Sequence, residues 1–319
     1  MVSWRRCLLY GIVVALPLLT GCAATQTRSL LAAPHSGLAP RLELKATPFF
    51  AQERYQCGPA ALAMSLNAAG FGVQPEALVS QVYLPQREGS LQVEMLASAR
   101  RNGAFGVTIA PRMDALLAEL AGGNPVLVLQ NLSLPIYPRW HYAVVIGYDL
   151  ARAEIILRSG TTERMVMAMS TFEHTWARSG YWGMVTLAPG RLPVTTDEAT
   201  TLEALVAFEK SGKPAEVRKT YEAAAQRWPA NLAFVLGVGN TSYRAGDRVA
   251  AADAFRRASE QHAESAPAFN NLAVVLTELG RLPEARKAAE QALALGGPWR
   301  AQALSTLETI ELAEKHVKR

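Results

Sequence analysis

The last third of the chain repeats with a period of 34 residues. Three columns of residues hold this spacing: Gly212, Gly246 and Gly280; Tyr221, Phe255 and Ala289; and Ala224, Ala258 and Ala292. Such a period is typical of paired helices that stack on their neighbours. Glycine forms the turn within each pair, and alanines let the helices approach closely. The pattern therefore predicts that residues 198–319 are helical throughout.

This part of the chain resembles the tetratricopeptide repeat over roughly residues 198–299. Its best copy runs from Phe269 to Ala292. The resemblance implies an all-α domain at 198–319 in which a final helix caps the stack. Two roles remain open for it. The repeats either form a groove that binds a peptide or partner protein, or they serve as a spacer or platform for the preceding domain.

The first residues have the layout of a secretory signal. Two arginines precede the apolar run Leu8–Leu18, which is too short to span a membrane comfortably. The run leads into Leu19-Thr20-Gly21-Cys22, which resembles a bacterial lipobox. The resemblance implies a signal peptide at 1–21, cleavage before Cys22, and lipidation of that cysteine. An uncleaved anchor or a buried helix is the alternative interpretation.

The lipobox also predicts where the protein resides. Ala23 and Ala24 follow the cysteine, and neither is the aspartate that resembles an inner-membrane retention signal. We therefore expect a bacterial envelope protein attached to the membrane through acyl chains on Cys22, in the outer membrane and facing the periplasm. Residues 22–45 are rich in Ala, Ser, Pro and Thr without a sustained period, which predicts a lipidated tether.

The cysteine count isolates one thiol. The chain has three cysteines, of which Cys7 belongs to the predicted signal peptide and Cys22 to the lipobox. Cys57 is left without a disulfide partner. In the oxidising periplasm a lone cysteine is more often reactive than structural.

Cys57 precedes a predicted helix. Pro59 suits the first turn of a helix, Ala60–Ala69 has helical composition with a broad apolar side, and Gly70 ends it. A thiol at a helix N-terminus lies in a positive field, which predicts a lowered pKa. Cys57 is therefore the candidate nucleophile.

A nucleophilic thiol needs a base, and His141 is the best candidate among five histidines. It heads the apolar run 142–148, which has strand character. A histidine at the start of a buried strand can approach a helix N-terminus that packs against the sheet. His174 is the alternative, and its surroundings predict a partly exposed helical position.

These residues together resemble family 39 of the cysteine peptidases, whose best-known members cut double-glycine leaders from bacteriocins. The matching pieces are Gln52, the segment Cys57–Leu62 and the segment Trp140–Asp149. The resemblance implies a papain-like α+β domain at 46–190, joined by a linker at 191–197 to the repeats.

The resemblance also implies roles for the matching residues. Cys57 would attack the peptide carbonyl, and His141 would take its proton and pass it to the leaving amine. Gln52 and the backbone N–H of Cys57 would form the oxyanion hole.

The third member of the site departs from the family pattern, which places an aspartate at the end of the returning strand. Asp149 follows His141 by eight residues on the same strand, about 26 Å away, and more plausibly begins a turn. The returning strand ends at Ser159, which can accept a hydrogen bond from the histidine. The prediction is a Cys57–His141 dyad whose orienting residue is left open: Ser159 is the candidate, and another group that supplies the acceptor is the alternative.

Two other functions stay open. Without its acidic residue, the domain could be catalytically impaired and act as a protein-binding scaffold. A peptidoglycan-cleaving Cys-His hydrolase of the NlpC type would share the chemistry and the compartment.

Composition argues against other classes. The formal net charge of +5 includes no basic cluster with interleaved aromatics, so nucleic acid is not an expected partner. Neither metal-ligand spacing nor a phosphate-binding glycine loop is present in the sequence, so we expect no metal and no cofactor.

Overall fold

The computed structural model describes residues 24–32, 37–51 and 57–317. Within these residues, a part that contains β-sheet is followed by a part built only of helices. This confirms the predicted order, an α+β domain followed by an all-α domain. The predicted signal peptide, Cys22, His35 and Gln52 lie outside the described residues.

One antiparallel sheet forms the centre of the first part. The strands of the chain are β1 (Arg41–Glu43), β2 (Tyr83–Leu84), β3 (Gly89–Ser90), β4 (Phe105–Thr108), β5 (Val126–Asn131), β6 (Trp140–Asp149), β7 (Glu154–Ser159), β8 (Thr162–Ala168) and β9 (Gly183–Leu187). The sheet order is β4-β9-β5-β6-β7-β8, with β1 paired to the far end of β6, and β2 and β3 form a separate hairpin.

Helices cover both faces of this sheet. They are α1 (Thr25–Ala32), α2 (Cys57–Ala68), α3 (Pro75–Val82), α4 (Gln92–Arg101), α5 (Met113–Ala121) and α6 (Met169–Ala177). Val126 and Val128 of β5 belong to one apolar core, and the alternating Leu127 and Leu129 belong to a second that includes the side chains of α2. Because side chains alternate along a strand and both faces are covered, β5 is a continuous apolar run.

The second part consists of helix pairs and a final helix. These are α7 (Glu198–Glu209) and α8 (Pro214–Arg227), α9 (Leu232–Arg244) and α10 (Arg248–Gln261), α11 (Ala266–Glu278) and α12 (Leu282–Leu295), then α13 (Arg300–Val317). Gly246 and Gly280 lie between the helices of their pairs with φ of 83° and 74°, a conformation that favours glycine. The 34-residue period therefore marks helix pairs, as predicted.

The described part of the predicted tether is folded. Residues 25–32 form α1, which packs on α5 and α6, and residues 41–43 form β1. The buried Glu173 explains the position of α1, because its two carboxylate oxygens accept the backbone N–H groups of Gln26 and Thr27 at 3.0 and 2.6 Å. This corrects the expectation of a structureless tether over 22–45. Among the described helices none is long and apolar enough to cross a membrane.

The two parts share one hydrophobic core. Phe105 of β4 and Phe208 of α7 are both fully buried, and their ring centroids lie 5.9 Å apart. Val217, Tyr221 and Phe234 from the helical part belong to the same cluster of buried side chains. The sheet domain and the first helices are therefore joined through a continuous apolar interface.

The predicted linker at 191–197 is held at several points. The buried Glu119 accepts hydrogen bonds from the backbone N–H and the hydroxyl of Thr195, both at 2.7 Å. Arg227 of α8 donates to the carbonyl oxygens of Pro193 and Val194. The segment joins the two parts without forming a loose hinge.

Candidate active site

Cys57 is the first residue of α2, where the sequence predicted a helix start. Its side chain is half-buried. Burial raises the pKa of the Cys57 thiol, and hydrogen bonds from the backbone N–H groups of Tyr142, Gly58 and Cys57 itself lower it by less. The pKa is therefore above its ordinary value, and the predicted lowering is wrong. The helix N-terminus supplies donors, yet the cost of burying a thiolate exceeds their effect.

His141 is the second residue of β6 and lies opposite Gln130 of β5. Its Nε2 atom lies 2.9 Å from the hydroxyl oxygen of Ser159. This contact leaves Nδ1 as the ring nitrogen available to another group. Burial, followed by the positive charge of Arg139, lowers the pKa of His141 to about 4. The imidazole is therefore neutral near pH 7 and can accept a proton.

Ser159 lies where the sequence placed the orienting residue. It is buried at the end of β7, so its hydroxyl is shielded from competing water. Asp149 lies at the opposite end of β6, where its carboxylate accepts the backbone N–H of Arg152 at 3.1 Å. Asp149 thus has the turn-forming contact predicted for it. The structure brings His141 together with Ser159 and leaves Asp149 distant.

Cys57 and His141 line one cleft with a volume of about 1050 Å³. Its other walls come from the β2–β3 hairpin and the residues that follow it, the start of β6, and the segment after α6; they include Arg87, Glu88, Ser90, Gln92, Leu129, Arg139, Trp140, Tyr142, Arg178 and Ser179. Three arginines and one glutamate give the cleft an excess of positive charge, which favours an anionic or carboxylate-bearing ligand.

Gly58 has a steric reason to be glycine. A Cβ atom at this position would lie 2.2 Å from the hydroxyl oxygen and 2.7 Å from the Cβ of Ser90. The hydroxyl of Tyr142 donates to the carbonyl oxygen of Ser90 at 3.0 Å, so the hairpin is held against β6. The start of α2 and the hairpin wall of the cleft therefore fit closely.

We expect Gly58→Ala to destabilise the protein by about 1–3 kcal/mol, because the new methyl group must displace β3 or α2. Thermal unfolding measures the change. The double variant Gly58→Ala, Ser90→Gly removes the clashing atoms and should recover most of the loss. An equal loss in both variants would show that the Gly58–Ser90 contact is not the cause.

Arg158, next to Ser159 on β7, holds the segment that follows β1. Its guanidinium group is buried and donates to the carbonyl oxygens of Lys45 and Thr47, at 3.3 and 3.0 Å. The same guanidinium group also donates to the carbonyl oxygen of Glu163 at 2.6 Å. The adjacent residues Ser159 and Arg158 thus contact His141 and the segment after β1.

Sequence reasoning missed several of these residues. Arg139 lies just before β6 and only two positions before His141, so its closeness to the histidine was predictable from the sequence. The roles of Ser90 and Arg158 depend on contacts between distant segments and carried no local signal. Among the described residues, no group of His, Cys, Asp and Glu side chains could hold a metal ion.

The neutral state of both groups predicts the pH dependence of thiol alkylation. A raised thiol pKa means less thiolate at a given pH, so iodoacetamide should modify Cys57 at pH 7 more slowly than it modifies an unstructured cysteine. The rate should climb with pH through pH 9. Mass spectrometry of the Cys57 peptide after timed alkylation measures it. A rate plateau that begins near pH 4 would instead indicate a thiolate–imidazolium pair.

Comparison with known proteins agrees with these observations. Residues 44–184 match the model of the Peptidase_C39-like family. No protein of the curated set matches the chain. The structure is similar to a C39-like peptidase from Bacillus anthracis, with 18% identity and a TM-score of 0.39; the alignment covers 46% of this chain and 97% of that one.

The helical part has its own similar structures. One is the type III secretion chaperone SycD of Yersinia enterocolitica in complex with a peptide of the translocator YopD, with 20% identity, a TM-score of 0.34, and coverage of 36% of this chain and 93% of that one. Another is the second tetratricopeptide domain of human RPAP3 with an HSP70 peptide, with 22% identity, a TM-score of 0.33, and coverage of 36% and 94%.

The family match includes Cys57, His141 and Ser159 and ends before the repeated helices begin. It confirms the resemblance predicted from the sequence. Residues 44–184 therefore form a Peptidase_C39-like domain, and the helix pairs that follow have the 34-residue period of the tetratricopeptide type.

Proposed function

We propose that this protein is a cysteine peptidase of the bacterial envelope, anchored through lipid on Cys22, in which Cys57 attacks a peptide bond. The observation that carries the proposal is the single cleft lined by the thiol of Cys57 and the imidazole of His141. Neutral His141 takes the thiol proton as sulfur attacks the carbonyl carbon. It then donates this proton to the leaving amine, and water hydrolyses the acyl-enzyme.

Ser159 holds the imidazole in place during these steps. Its hydroxyl oxygen can accept the Nε2 proton, and this tautomer leaves Nδ1 with the lone pair that a base needs. A hydroxyl carries no charge, so it stabilises the imidazolium less than a carboxylate does. The oxyanion of the intermediate would be bound by the backbone N–H of Cys57 and by Gln52.

The repeats would recruit a peptide segment of the substrate or a partner protein. A cavity of about 330 Å³ between the second and third helix pairs is lined by apolar and charged side chains, among them Arg256, Phe269, Leu272, Glu284 and Lys287. Such a mixture can bind an extended segment through an apolar side chain and a charge.

A second candidate function is a protein-binding scaffold without catalysis. The pKa directions favour it, because a raised thiol pKa and a lowered imidazole pKa disfavour the activated ion pair. In this alternative the cleft binds a segment that it does not cut.

Labelling with a thiol-reactive peptide probe separates the two functions. A peptidase should react at Cys57 far faster with a peptidyl acyloxymethyl ketone than with iodoacetamide, and His141→Ala should remove that preference. Labelling at the rate of an ordinary thiol, unchanged in His141→Ala, would overturn the peptidase proposal and leave the scaffold.

A further inference from the structure

The loop between β5 and β6, together with the first residue of β6, concentrates exposed apolar side chains. Of the fifteen exposed large hydrophobic residues among those described, five lie within residues 132–140. They are Leu132, Leu134, Ile136, Tyr137 and Trp140, of which Ile136 and Tyr137 are 76% and 77% exposed. We call residues 132–140 the apolar loop. Water-exposed apolar clusters of this kind mark interaction sites.

The apolar loop is held in place by polar contacts to its backbone. Arg178, just after α6, donates to the carbonyl oxygens of Asn131 and Ser133 at 3.1 and 2.9 Å. The Asn131 side chain accepts the backbone N–H groups of Ser133 and Arg139 at 3.0 and 2.9 Å. The exposed side chains thus project from a fixed scaffold and do not collapse onto the protein surface.

The same helix α6 holds the beginning of the described chain. Glu173 accepts the backbone N–H groups of Gln26 and Thr27 at the N-terminus of α1, and Leu30 near the other end of α1 is buried. The Tyr181 side chain interacts with those of Gln26 and Glu173, so the segment after α6 lies close to the start of α1. Gln26 of α1 donates to the carbonyl oxygen of Pro111 at 3.3 Å and accepts the backbone N–H of Met113 at 2.7 Å, just beyond the C-terminal end of β4. Strands β4 and β5 both pair antiparallel with β9, so their C-terminal ends share one edge of the sheet. The start of α1 and the apolar loop, which follows β5, therefore lie at the same edge of the sheet.

The position of the start of α1 bears on the predicted lipid anchor at Cys22. Cys22 precedes Ala24 by two residues, and two residues of chain span at most about 7 Å. Acyl chains on Cys22 would therefore bring the bilayer surface close to the start of α1. The apolar loop, at the same edge of the sheet, would face the same surface.

We propose that the apolar loop inserts into the lipid headgroup region of the membrane that holds the anchor. This inference rests on the lipid anchoring in the proposed function. Tryptophan and tyrosine favour the membrane interface, and leucine and isoleucine gain from burial among acyl chains. The loop contains no acidic residue, and Arg139 supplies a cation for anionic headgroups.

The consequence concerns the cleft. Pro138, Arg139 and Trp140 of the apolar loop also line it, next to His141. Insertion of the loop would place the mouth of the cleft at the bilayer surface. The substrates would then be peptide segments that lie near the membrane, such as the juxtamembrane part of another anchored protein.

A fluorescent probe at one position tests the insertion. The lipidated full-length protein carries Tyr137→Cys in a Cys57→Ser background, labelled with an NBD fluorophore and reconstituted in phosphatidylethanolamine–phosphatidylglycerol vesicles. We expect a blue-shifted emission that doxyl-labelled lipids quench. Val249→Cys is the matched control, since Val249 is exposed on α10 of the repeats, and its label should not be quenched.

The outcomes separate this inference from the anchor and from the enzyme. Vesicle flotation with an unquenched label at 137 would overturn the loop insertion and leave the anchor standing, whereas loss of flotation would overturn both. The double variant Ile136→Ser, Tyr137→Ser should cleave a soluble peptide at an unchanged rate. A tenfold slower cleavage by this variant, without quenching at 137, would make the loop a peptide subsite instead.

Discussion

Replacing His141 with alanine is expected to slow peptide hydrolysis by about 10²–10⁴-fold, the usual contribution of a positioned general acid and base. The reason is that His141 lines the same cleft as Cys57 and has a lowered pKa, so its imidazole is neutral and can accept the thiol proton. Cleavage of a fluorogenic peptide library by the purified protein measures the loss. Cys57→Ala should remove all remaining activity.

Two further variants serve as comparisons for His141→Ala. His174→Ala changes a half-buried histidine of α6 and should retain full activity. Ser159→Ala should give a smaller loss than His141→Ala and shift the pH dependence of kcat, because the imidazole loses its Nε2 partner. A loss in His174→Ala that equals the loss in His141→Ala would exclude His141 as the base.

Replacing Phe208 with alanine is expected to destabilise the protein by about 3–5 kcal/mol, the cost of removing a fully buried aromatic ring. The ring is completely buried and lies 5.9 Å from that of Phe105, at the interface between the sheet and the first repeat. The structure therefore predicts an effect on both parts of the chain. The wild-type protein should unfold as one unit, and the variant should show separate transitions for its two parts.

Differential scanning calorimetry, with far-UV circular dichroism as a second probe, measures both quantities. Phe269→Ala is the matched control, since Phe269 is only half-buried and lies on the third repeat, away from the interface. Its loss of stability should be smaller and should leave the cooperativity unchanged. Two transitions already present in the wild type would contradict a shared core.

Much of this site was predictable from local sequence. The start of α2 at Cys57 follows from Pro59 and the alanines after it, and the strand position of His141 follows from the apolar run behind it. Counting along the returning strand led to Ser159, because strand pairing fixes which residues lie opposite each other. These inferences needed only local sequence patterns and the position of the turn between β6 and β7.

Other features depend on packing between distant segments. The pKa of Cys57 is set by how deeply the sheet and hairpin bury it, and burial outweighs the helix N-terminus that the sequence reveals. The sequence of α1 has only a weak helical pattern and was predicted to be a tether. The position of α1 depends on Glu173, about 150 residues later in the chain. The connection between the two parts depends on Glu119, which accepts hydrogen bonds from Thr195 in the predicted linker.

The turn between β6 and β7 lies at the opposite end of these strands from the cleft. Surface turns usually tolerate insertions, but a change of one residue here would shift the pairing of β7. Because side chains alternate along a strand, Arg158 and Ser159 would exchange faces. His141 would lose the hydroxyl of Ser159, and the segment after β1 would lose its hydrogen bonds to the guanidinium group of Arg158. The length of the Leu150–Ala153 turn is therefore constrained by chemistry that takes place at the far end of the sheet.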